Sequence, residues 1–119
     1  MKQEEFNEQF RQRTKKFAVD VIKYCNALPQ TSATRVIVFQ LVKSATSVAA
    51  NYRAVCRARS KAEFHAKMSI VVEESDESQL WLEVIEDSGI DNSPELKRLQ
   101  QESLEITKVC SKARNSSSG

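Results

Sequence analysis

Residues 60–89 read SKAEFHAKMSIVVEESDESQLWLEVIEDSG, and they carry a start, a body and a stop for one long helix. Ser60 and Glu63 form a capping box, in which each side chain satisfies a backbone N–H that the first helical turn leaves free. Phe64, Met68, Val71, Ser75, Ser78, Leu82 and Ile85 then recur every three or four residues, which places them on one stripe of an α-helix. Asp87-Ser88-Gly89 closes the segment, because glycine adopts the left-handed conformation of a helix C-cap without strain.

Working outward, three more segments show the same period. Before it, a helix opens after Thr31-Ser32, either of which serves as an N-cap, and runs through Arg57 without Gly or Pro. Its stripe is Ile37, Leu41, Ser44, Val48, Asn51 and Val55, but Val36, Val38, Phe39 and Val42 make its first half apolar on nearly every face. A helix of that kind needs cover on all sides, which in so small a bundle predicts a subunit interface. The first segment carries Phe6, Phe10, Phe17, Val21, Cys25 and Leu28, interrupted at Arg13/Thr14, and Pro29 ends it. After Gly89, Ser93-Pro94 supplies an N-cap and a first helical residue. The last stripe is Leu96, Leu99, Ser103, Ile106, Cys110 and Ala113. Four helices joined by short connections predict an all-α fold, an antiparallel up-down-up-down four-helix bundle over residues 1–114. Residues 115–119 have nothing to bury and are expected to fray.

Composition agrees with this. Two Gly and two Pro in 119 residues are too few for a chain of many turns, and 40% hydrophobic with 29% charged residues suits one globular domain. MKQEEFNEQF lacks the apolar stretch of a secretory leader, and the longest apolar run, Val36 to Phe39, is far too short to span a membrane. Cys25, Cys56 and Cys110 are odd in number and widely spaced, so they are expected to be reduced, buried small hydrophobes. The expected location is the cytoplasm.

Charge is distributed unevenly. Residues 21–62 hold seven basic residues and no acid, whereas residues 63–91 hold nine acids and one lysine. Antiparallel folding gathers residues 1–16, 50–67 and 105–119 at one pole, with thirteen basic and five acidic residues, a net of +8. The remainder nets −6. Arg11, Arg13, Lys15, Lys16, Arg53, Arg57, Arg59 and Lys61 are the candidate nucleic-acid-binding residues, because such a patch is the footprint of a phosphate-backbone binder. RNA or DNA is the expected ligand. The competing reading is a protein-interaction scaffold in which charge only steers the encounter.

Catalytic chemistry has little to stand on. A carboxylate-bridged metal site in a bundle takes Glu from two helices and Glu-x-x-His from two others. The single histidine, His65, has Ala62 at i−3 and lies three turns from Glu77. No glycine-rich phosphate loop or oriented Ser/His or Cys/His pair is evident, so no catalytic residue, metal or cofactor is expected. Ser44, Ser47, Asn51, Arg53, Glu74, Glu77 and Trp81 instead form a candidate structural polar network between the second and third helices, a ligand site being the alternative. A buried carboxylate there requires a partner. Trp81 serves either as core filler or as a platform on which a base stacks.

Several stretches resemble a known family. Phe17-Ala18, Leu28-Pro29, the run QLVKSATSVAANYR at residues 40–53, RARSKAEF at 57–64, Glu73-Glu74, Asp76-Glu77-Ser78 and Trp81-Leu82 are similar to the four-helix bundle family of bacterial 23S rRNA intervening-sequence proteins. That family includes the accessory protein of diversity-generating retroelements. The resemblance covers roughly residues 6 to 112 and implies a homo-oligomeric ring, typically a pentamer. For the retroelement relative it also implies binding to nucleic acid and to a reverse transcriptase.

Overall fold

The computed structural model describes residues 1–117. Four helices follow one another: α1 (Gln3–Asn26), α2 (Ser32–Cys56), α3 (Lys61–Asp87) and α4 (Pro94–Ser117). Each packs on its two neighbours around a square, α1 on α2, α2 on α3, α3 on α4, and α4 back on α1. The rod measures 44 × 24 × 18 Å.

The local signals act where the sequence puts them. Thr31 caps α2 by accepting the Thr34 N–H at 3.1 Å. Ser60 accepts the Glu63 N–H at 3.0 Å, and Ser93 accepts the Leu96 N–H at 3.2 Å. Gly89 has φ 77°, and around it Ile90 N–H bonds the Ile85 carbonyl at 3.1 Å while Gly89 N–H bonds that of Glu86 at 3.0 Å. This is a Schellman ending, with Ile90 folded back against the core. At the chain's far end α4 runs to Ser117. Residues 118–119 lie outside the described residues.

The predicted stripes form the core, including Phe17, Val21, Leu41, Val48, Val71, Leu82, Leu99 and Ile106. Thr14 is fully buried where the first stripe is interrupted, and its hydroxyl donates to the Arg11 carbonyl at 3.0 Å. Phe6, expected on the same stripe, is 38% exposed, since it stands in the second turn at the open end of the bundle. Val36 and Phe39 point outward and are 62% and 65% exposed. The seam between α1 and α4 is the least extensive of the four; Arg13–Glu102 and Arg98–Asp20 span it, and Tyr24 of α1 bonds Asp91 in the turn that precedes α4.

Candidate nucleic-acid interface

The start of α1, the end of α2, the start of α3 and the end of α4 meet at one pole. A groove of about 780 Å³ there is lined from all four helices, among them Asn7, Cys56, Lys61, Phe64 and Ser116. The eight candidate cations divide into two groups around it.

Three have carboxylate partners. Arg11 donates twice to Glu8, at 2.9 and 2.6 Å, and these bonds, with one from Gln12, hold the Glu8 carboxyl down at about 2. Arg13 makes a two-pronged bridge to Glu102, 2.8 Å on both prongs, and its guanidinium lies 5.6 Å from the centre of the Phe10 ring. Lys16 reaches Asp20 at 2.6 Å, and Asp20 also accepts from Arg98 at 3.0 Å. Glu102 and Asp20 lie outside the windows that sum to +8, so Arg13 and Lys16 contribute less field than the sequence count implies.

Among the described residues Lys15, Arg53, Arg57, Arg59 and Lys61 form no ion pair, and all five are exposed. Arg53 joins Arg11 and Lys15 along a cleft of about 210 Å³ between α1 and α2, with Ala49 and Ala50 as its other lining. Arg57 and Arg59 lie in the short α2–α3 connection and Lys61 opens α3, and all three side chains are exposed. Lys108 and Lys112 extend the positive surface along the last turns of α4.

The candidate polar network is distributed differently from its sequence reading. Asn51 donates to the Ser47 hydroxyl and carbonyl, both at 2.9 Å, and Trp81 Nε1 donates to Glu77 at 3.3 Å. Both are pairs within one helix. Arg53 faces the α1 side of α2, away from Glu74 and Glu77, and both glutamates are half-buried. Only Ser44 crosses to α3, where its hydroxyl meets that of Ser78 at 2.9 Å. The buried hydroxyls continue into α4 through Ser75–Thr107 at 2.7 Å and through Ser103 to Gln79. Ser75, Ser78 and Ser103 occupied apolar stripe positions in the sequence, and that was the available signal. Among the described residues no buried side-chain N or O lacks a partner.

The family described as 23S rRNA-intervening sequence protein matches residues 7–112, which reach into all four helices. The chain belongs to that family. Among solved structures, it is similar to a protein of unknown function from the S23 ribosomal protein family of Bacteroides thetaiotaomicron VPI-5482. The two share 25% identity with a TM-score of 0.83, over 92% of this chain and 97% of the other. A comparison with curated proteins finds no match.

In this 23S rRNA-intervening sequence family protein, Cys25 and Cys110 are buried, and burial pushes their thiols up to about 11 and about 12. Cys56 departs from the expectation that all three are buried. It is exposed, its Sγ 4.0 Å from the Asn7 carbonyl, because it closes α2 at the pole where no further turn covers it. His65 is exposed on α3. Among the described residues no three of His, Cys, Asp and Glu converge as a metal requires, and no helix is long and apolar enough to cross a membrane.

Proposed function

We infer that this family member is a non-catalytic, cytoplasmic binder of RNA or DNA that holds the phosphate backbone on its basic pole. It works as a homo-oligomer, a pentameric ring by family resemblance, and as an accessory to a partner such as a reverse transcriptase. The observation that carries the reading is the set of five exposed cations at one pole that have no carboxylate partner among the described residues: Lys15, Arg53, Arg57, Arg59 and Lys61. Unpaired cations release phosphate counterions on binding, whereas those already in ion pairs must first exchange partners. The outward Val36 and Phe39 support assembly, since exposed large apolar side chains on one helix gain by mutual burial.

The reading predicts binding at low salt that falls roughly 100-fold between 50 and 200 mM, for about five single-strand phosphate contacts. Reversing Arg57, Arg59 and Lys61 to Glu abolishes retention, measured by fluorescence anisotropy, while leaving the oligomer intact. Unchanged retention sinks the basic-pole reading. A protein scaffold is the second reading, favoured by an apolar groove of about 480 Å³ between α1 and α2 that includes Val38, Phe39 and Val42. It predicts no nucleic-acid binding at any salt concentration.

A further inference from the structure

The groove at the basic pole has features that holding a phosphate backbone does not require. Among the described residues its lining contains no carboxylate. Arg59 and Lys61 supply charge, Gln3 and Asn7 supply amides, and Phe64 supplies an aromatic ring. Phe64 is half-buried and also lines a small cavity beneath the groove with Phe10, Tyr52 and Met68, so its ring stands between core and solvent. The Gln3 side-chain amide Nε2 donates to the side-chain Oδ1 of Asn7 at 2.7 Å. That leaves the Gln3 oxygen as an acceptor and the Asn7 NH₂ as a donor, the two functions that an unpaired base edge complements.

We propose that this groove seats an unpaired base of single-stranded nucleic acid, its ring against Phe64 and its flanking phosphates on Arg59 and Lys61. The proposal rests on the nucleic-acid reading above and adds strandedness to it. A base within a duplex has its faces stacked and its pairing edge occupied, so it cannot enter a groove at the end of a bundle. A duplex meets only the cations at the rim. A single strand gains the same phosphate contacts and adds stacking, which is tolerant of base identity because every base has a π face.

Cys56 makes the groove addressable, since it lines the groove and is exposed while Cys25 and Cys110 are buried. Alkylation of Cys56 by iodoacetamide is followed by mass spectrometry on the intact protein. It is run alone, with a mixed-sequence single strand of about a dozen nucleotides, and with the same sequence as a duplex. Occupancy is matched by anisotropy. The single strand is expected to slow alkylation about tenfold and the duplex less than about twofold, and Phe64→Leu to weaken the single strand about tenfold without changing the duplex. A single strand that binds without protecting Cys56, or a duplex that protects it equally, overturns the groove and leaves the basic-pole reading standing. If neither binds at low salt, both readings fall. Should Phe64→Leu unfold, Cys56 protection in the native protein decides alone.

Discussion

Asp91 lies in the turn between α3 and α4 and accepts hydrogen bonds from the Ser93 hydroxyl and the Tyr24 phenol, both at 2.7 Å. These bonds, Ser93's first, hold its carboxyl below the usual aspartate value, while burial and then Asp91 itself push the Tyr24 phenol up. A carboxyl depressed in the folded state stabilises the fold above its unfolded pKa of about 3.9 and loses that contribution as pH falls through the lower, folded value. Urea midpoints measured from pH 7 to pH 3 are therefore expected to fall less for Tyr24→Phe than for the native chain. Equal slopes would mean that the phenol does not hold the carboxylate. The same scale shows what the sequence around Arg13 did not disclose. Its partner, Glu102, stands 89 residues away on α4, and no local pattern announces that distance.

At the scale of elements, the hydroxyl seam joins α2, α3 and α4 without a buried charge. The Leu41 carbonyl lies 3.0 Å from the Ser44 hydroxyl and the Glu74 carbonyl 2.9 Å from that of Ser78, so one serine gives its single proton to its backbone carbonyl and accepts the other's proton across the seam. Ser44→Ala and Ser78→Ala are each expected to cost about 1 kcal/mol, and the double variant less than their sum, because removing both leaves no stranded partner. Strictly additive costs in urea denaturation would show that the two do not couple. The helix starts and the Gly89 stop were legible in the sequence, since caps and Schellman endings are made by residues within one turn of each other. The polar positions were legible for a related reason, as Ser44, Ser75, Ser78 and Ser103 interrupt apolar stripes. Their partners were not, because pairing across helices depends on axial register. That is why the anticipated cluster of Asn51, Arg53, Glu74 and Glu77 gave way to local pairs and a serine contact.

For the whole molecule, the pole was legible once the topology was, because four segment ends summed by position need no side-chain detail. What stayed hidden was its internal division into paired cations and open ones, which decides where an anion can settle. The outward face of α2 presents the large-scale prediction. Under the proposed homo-oligomer, Phe39→Asp, at a site 65% exposed, is expected to leave helical content unchanged and to give monomers in light scattering where the native chain gives an oligomer. Retained assembly would move the interface elsewhere. The rod itself sets a further condition on any ring. With a net +8 in the segments at one end of a 44 Å body and −6 over the rest of it, each chain is an electric dipole, and parallel dipoles side by side repel. A ring with all its basic ends on one rim must then be held by apolar contact against its own field. Added salt screens that repulsion while it loosens the grip on nucleic acid. For the proposed ring and the proposed nucleic-acid complex, ionic strength thus acts in opposite directions, and the tightest of each belongs to a different solution.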